Sequence, residues 1–173
     1  DWGRMEAGRR LYELRPEDPA LVLEEAVDAF RSMTPEETTV LRLEVPDALP
    51  AVPMDRGAVL DALLNLLSNA HKYSRPPRRI TVAAAADVRA VRISVTDNGI
   101  GIPRHEHRRI FQKFYRVDER LARASSGSGL GLAIVQHVMR GHRGRVEVES
   151  TPGQGSSFTL VIPRPRTSTG ANS

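Results

Sequence analysis

The run from Asp55 to Ser74 constrains this chain more than any other segment. Leu60, Leu63, Leu67 and Ala70 recur at three- and four-residue spacing, which predicts a helix with a buried stripe. Arg75, Pro76 and Pro77 stop it. Asn65, Asn69 and Lys72 interrupt the leucines and stack on one helical face. Asparagine competes with the backbone inside a helix, so packing alone gives little reason for two of them. The stripe offers amide oxygens to a hard divalent cation and a fixed positive charge to phosphate. On the helix pattern alone, a solvated surface face and a ligand face are equally good readings.

Two glycine-rich segments bear on that choice. Ala90 to Asp97 reads as a strand ending in a carboxylate, followed by Gly99, Ile100, Gly101, Ile102 and Pro103. A carboxylate there can accept a hydrogen bond from an exocyclic amine such as adenine N6. The same residues also fit a plain Asp-Asn-Gly turn. Gly127, Gly129, Leu130 and Gly131 open a third helix reaching about Arg140. Glycines before a helix N-terminus expose backbone N–H groups to an anion, or serve simply as a hinge. The segment is not a P-loop, because no Lys-Ser/Thr pair follows, and no strand precedes it as a dinucleotide fingerprint requires.

Further elements follow from the same patterns. A helix is expected over about 20–31 and strands over 38–45, 79–86, 90–97, 145–150 and 157–162. A short helix follows Pro103 as far as Phe111, and the weakly periodic stretch 112–128 reads as a functional lid or linker. The order strand, helix, hairpin, lid, helix, hairpin predicts an α/β (α+β) two-layer sandwich. Its mixed, largely antiparallel sheet has about five strands, with three main helices on one face.

The 173 residues suffice for one packed domain, and the absence of cysteine excludes a disulfide framework and a thiolate zinc site. A net charge of +4 invites a nucleic-acid reading, but the arginines are scattered and aromatic residues are few. No nucleic-acid partner is expected. No apolar run is long enough to span a bilayer, and no signal peptide is visible in the opening residues. The start at Asp1 leads us to expect a piece of a longer protein. His105 and His107 flank Glu106, but without further ligands this reads as a solvated helix start rather than a metal site.

Taken in order, Asn65–Tyr73, Asp97–Pro103, Arg109–Arg116, Gly127–Leu132 and Pro152–Phe158 resemble the N, G1, F, G2 and G3 boxes of bacterial sensor histidine kinases. The match covers about residues 50–163. The resemblance implies a Bergerat-type ATP-binding fold with ATP and Mg²⁺ as cofactors. It implies that Asn69 holds Mg²⁺, Lys72 contacts phosphate, Tyr73 flanks the nucleotide and Asp97 binds adenine N6. Gly99, Gly101 and Ile102 would pass the base, while Gly127, Gly129, Leu130 and Gly131 would anchor the lid beside the phosphates. Phe111 and Phe114 resemble the lid-side hydrophobic anchor. Related gyrase-type and chaperone ATPases carry Glu where this chain has Asn65, and an amide cannot serve as a general base. Asn65, Asn69 and Lys72 are therefore the expected catalytic set of a kinase that spares ATP from water.

A sensor kinase also needs a phosphoaccepting histidine, usually followed by Glu and, a few residues on, Pro. None of His71, His105, His107, His137 and His142 has that context. The acceptor is expected on a separate dimerisation domain, with residues 1–15 its trailing end, 16–163 the catalytic unit and 164–173 a disordered tail. The expected partners are that domain and a response regulator whose aspartate receives the phosphoryl. The unit itself is expected to be monomeric, cytoplasmic and without membrane contact. A nucleotide-sensing or docking module, and an anti-sigma-type serine kinase, are the alternative readings.

Overall fold

In the computed structural model, the described residues are 11–34, 39–117 and 127–166. The expectations for 1–10, for the lid over 118–126 and for the tail from 167 lie outside them. The chain runs β1 (Arg15–Glu17), α1 (Pro19–Met33), β2 (Thr39–Glu44), β3 (Val52–Met54), α2 (Arg56–Tyr73), β4 (Arg78–Ala86) and β5 (Ala90–Asp97). Two 3₁₀ turns follow, Arg104–Glu106 and Arg109–Phe111, and then α3 (Gly131–Gly141), β6 (Arg145–Thr151) and β7 (Gly155–Pro163).

The main sheet has the order β2-β4-β5-β7-β6, with β2 parallel to β4 and every other pairing antiparallel. The expected mixed, two-layer sandwich is what forms, and β5 is its central strand. Alternation sets the faces: Ile80 and Val82 of β4, Val91, Ile93 and Val95 of β5, and Phe158, Leu160 and Ile162 of β7 point into the core. Against them pack Val22, Leu23, Val27 and Phe30 of α1, Leu63, Leu66 and Leu67 of α2, and Val135, Val138 and Met139 of α3. Leu60, expected within the buried stripe of α2, is only partly buried, and Ala62 and Leu66 take its place in the core.

Local chemistry fixes the helix ends. Asp18 caps α1 through Ala20 N–H (2.9 Å), with Pro19 at the first helical position. Asp55 caps α2 through Ala58 N–H (3.0 Å) and also accepts from Glu13 N–H (3.2 Å). The small antiparallel pair β1–β3 was not among the expected strands; its register sets Pro16 opposite Pro53. Prolines are tolerated there because a two-stranded ladder leaves outward N–H positions that need no partner.

His142, 2% exposed, joins these parts. Its Nδ1 donates to Val138 O (2.7 Å), Nε2 accepts from Asp55 N–H (2.9 Å), and the Tyr12 ring lies 5.2 Å away. The C-terminus of α3, the start of α2 and the segment leading into β1 thus meet on one neutral imidazole. Burial lowers its pKa, opposed by the Val138 carbonyl and Asp55.

Candidate nucleotide site

A cavity of about 360 Å³ opens between α2, the Asp97–Ile102 loop, the stretch 110–117 and the start of α3. That size suits a nucleotide-sized ligand. Asn65, Asn69, Lys72, Tyr73, Asp97, Gly101, Ile102, Gly127, Gly129 and Gly131 all line it, as the sequence reading expects. Gly99, Phe114 and Leu130 do not line it. The wall also includes Ile100, Ile110, Tyr115, Arg116, Ser156 and Phe158.

One end of the cavity suits a heterocyclic base. Asp97 is 8% exposed, and its Oδ1 accepts from Gly99 N–H at 2.7 Å. Burial raises its pKa, while the backbone N–H groups of Gly99 and Ser156 oppose that rise. A desolvated carboxylate between Ile100 and Ile102 discriminates well, because leaving it without a donor costs about 1–3 kcal/mol. The ladder partners of Asp97 are Ile80 on one side and Ser156 on the other, so the carboxylate stands at the end of a strand held from both edges.

The glycines around Asp97 answer to the protein's own backbone. A Cβ at Gly99 would collide with Tyr73 O, one at Gly101 (φ 71°) with Thr151 O, and one at Gly155 (φ 93°) with Asp97 O. Gly99 also bridges to Ser74, the residue that ends α2. The end of the α2 helix and the Asp97 loop are therefore in direct backbone contact.

The other end suits an anion. Lys72 Nζ lies 5.2 Å from the Tyr73 ring centroid, and a Cβ at Gly127 would come within 2.7 Å of it. Among the described residues no side chain caps α3, and Gly131 and Leu132 of its first turn line the cavity, which sets the positive end of the helix dipole beside it. Arg116 donates to Gly127 O at 3.2 Å. Asn65 Nδ2 donates to Asp61 O (3.0 Å), and its Oδ1 would stand 3.1 Å from a Cβ at Gly131, so α3 approaches α2 closely. Asp97 is the only carboxylate among the described lining residues.

Phe111 and Phe114, paired in the sequence reading, part company. Phe111 packs edge-on to Phe158 at 6.3 Å, whereas Phe114 is 68% exposed with a φ of 61°. Phe114 N–H donates to Gly129 O (3.0 Å), and Gly129 (φ 71°) leaves room for the Phe114 backbone. Among the described residues no group of three or more His, Asp or Glu could hold a metal. A lone amide such as Asn69 still fits Mg²⁺, which keeps most of its shell as water and substrate phosphate.

The family model described as "Histidine kinase-, DNA gyrase B-, and HSP90-like ATPase" matches residues 54–166. The sensor-like histidine kinase SenX3 of Mycolicibacterium smegmatis is 36% identical over 160 residues, 92% of this chain and 41% of that protein. The chain thus spans less than half the length of that relative. A structure of full-length ShkA in complex with AMPPNP superposes with a TM-score of 0.81 at 29% identity, covering 94% of this chain and 33% of that one. The mycobacterial sensor histidine kinase MprB gives 0.74 at 30% identity, covering 88% of this chain and 99% of that chain. The chain belongs to the histidine kinase-, DNA gyrase B- and HSP90-like ATPase family, and within it to the sensor histidine kinases.

Proposed function

We propose that this chain binds Mg²⁺–ATP and delivers the γ-phosphoryl to a histidine on a separate dimerisation domain, for relay to a response-regulator aspartate. The observation that carries this is Asn65 on the cavity wall, where no carboxylate among the described lining residues stands at the anion end to activate water. Asp97 receives the adenine amine, and Ile100 and Ile102 exclude water around the base. Lys72 and the N–H groups at the start of α3 neutralise phosphate charge, and Asn69 offers its side-chain oxygen to Mg²⁺. Mg²⁺ held there would supply positive charge that offsets what builds up during transfer. Positioning and charge neutralisation are then the whole contribution of the chain, since phosphoryl transfer needs no covalent group from it.

In this reading residues 16–163 are the catalytic unit, 1–15 lead from the acceptor domain and 164–173 are a tail. The unit works in the cytoplasm, where ATP and response regulators are found; among the described residues no helix is long and apolar enough to cross a membrane. The test is incubation with γ-labelled ATP. We expect Mg²⁺-dependent binding and no label on the chain alone. Label should appear, on histidine, once a dimerisation domain is added. Stable self-labelling, or rapid phosphate release without acceptor, would refute the reading.

A further inference from the structure

Two carboxylates are buried among the described residues, Asp97 and Glu106. The first faces the cavity; the second, 8% exposed on the turn Arg104–Glu106, does not line it. Burying a carboxylate is costly unless it is bound on several sides. Glu106 is bound in that way. The Tyr115 hydroxyl donates to its Oε2, and Arg109 Nη1 and His105 Nε2 stand 3.8 Å and 3.4 Å from its Oε1. Arg109 then lies over the Tyr115 ring, 4.7 Å from its centroid.

These contacts join a turn outside the cavity to its wall. Tyr115, Arg116 and Val117 line the cavity in succession. Upstream, Ile110 and Phe111 are anchored in the core, but Gln112, Lys113 and Phe114 between them and Tyr115 are exposed. Apolar packing of this segment therefore stops at Phe111, short of Tyr115. Beyond it the ties that hold this stretch include the backbone bonds Tyr115 N–H to Gln112 O (3.2 Å) and Phe114 N–H to Gly129 O, the Arg116 guanidinium on Gly127 O, and the Glu106 node.

We propose that Glu106 is a positioning residue for nucleotide binding. Through the Tyr115 hydroxyl and the Arg109 guanidinium it sets where Tyr115–Val117 stand in the wall, without touching the ligand. This rests on reading the cavity as a nucleotide site. The experiment measures, on the whole chain, affinity for a non-hydrolysable ATP analogue and the unfolding midpoint without nucleotide. The variants are Tyr115→Phe, Glu106→Ala, Glu106→Gln and the double variant Tyr115→Phe/Glu106→Ala. Tyr115→Phe keeps the ring on the wall and loses only the hydroxyl, so it remains informative even where Glu106→Ala folds poorly.

We expect Tyr115→Phe and Glu106→Ala each to weaken binding about fivefold, the loss of one hydrogen bond. The double variant should be no weaker than the worse single one, because both break the same link. Glu106→Gln, whose amide oxygen still accepts from Tyr115, should stay within about twofold of the parent. Losses that multiply, unchanged affinity in Tyr115→Phe, or affinity that falls only in step with the unfolding midpoint would overturn the proposal. Parent chain that binds no nucleotide overturns the cavity reading itself; parent binding with unaffected variants overturns this proposal alone.

Discussion

Replacing Asp97 by asparagine alters one atom at the point proposed to receive the adenine amine. The carboxylate accepts from Gly99 N–H at 2.7 Å with one oxygen, and the Ser156 N–H also acts on it. Asparagine keeps a single acceptor. If that oxygen stays on Gly99, the NH₂ group meets the adenine amine, donor against donor; if it turns to the ligand, the NH₂ group meets Gly99 N–H. A hydrogen bond to a charged acceptor is worth about 1.5–3 kcal/mol, so ATP affinity should fall roughly 10- to 150-fold. Folding should hardly notice. Burial already disfavours the ionised carboxylate, and removing a desolvated charge offsets what the Gly99 contact loses, leaving a net change below about 1 kcal/mol. Inosine triphosphate, with a carbonyl in place of the amine, supplies the control. The asparagine NH₂ can donate to that carbonyl, so the preference for ATP over the inosine nucleotide should shrink about tenfold or more. Calorimetry with both nucleotides, beside thermal unfolding without either, decides the matter. Unchanged ATP affinity, or equal losses for both nucleotides, would refute the adenine assignment.

Three further outcomes follow from the same geometry. Asn69→Ala should leave the unfolding midpoint unchanged, since the side chain makes no hydrogen bond among the described residues, but should weaken the Mg²⁺-dependent part of ATP binding about tenfold; titration with and without a chelator measures it. Gly153→Ala should cost only about 1–2 kcal/mol, because φ is 82° but nothing lies within 4 Å, whereas Gly155→Ala should cost several kcal/mol or prevent folding, its Cβ striking Asp97 O; denaturant midpoints would show whether the two differ. Because burial lowers the His142 and His71 pKa values, the unfolded chain takes up protons that the folded one refuses. Stability should therefore be full above about pH 6.5 and fall below it, by up to about 1.4 kcal/mol per pH unit for each group, and His142→Gln should flatten that slope in urea titrations at successive pH values.

The long, strongly patterned elements were legible from the sequence. α2 falls within one residue of the expected span, and β4 and β5 form the expected hairpin, because their periodicities of 3.6 and 2 leave little choice. α3 begins at Gly131, the last of the glycines expected to open it, since Gly129 takes a positive φ to lie against Phe114, a tertiary demand that local propensity does not carry. β1 and β3 went unseen because each has three residues and a proline, which reads as a breaker until its partner is known. In the site, polar residues set inside apolar runs (Asn65, Asn69, Lys72 and Asp97) gave themselves away. Tyr115 and Ser156 carry no such signal, since only the folded chain brings them to the wall. Gly99 carries a demand that the sequence does not display: a Cβ there would strike the Tyr73 carbonyl, a contact that only the folded chain creates.

The central place of β5 divides the cavity by mechanical character. Asp97 closes a strand laddered on both edges, so its surroundings open only when the sheet itself comes apart. The wall from Gln112 to Val117 has exposed residues and lies outside the sheet ladder, so it can open while the sheet stays whole. In the proposed binding mode a nucleotide would meet a rigid reader at its base and an adjustable grip elsewhere. Identity would then be checked against the part that does not move, and the strength of the hold could be retuned without relaxing what is recognised.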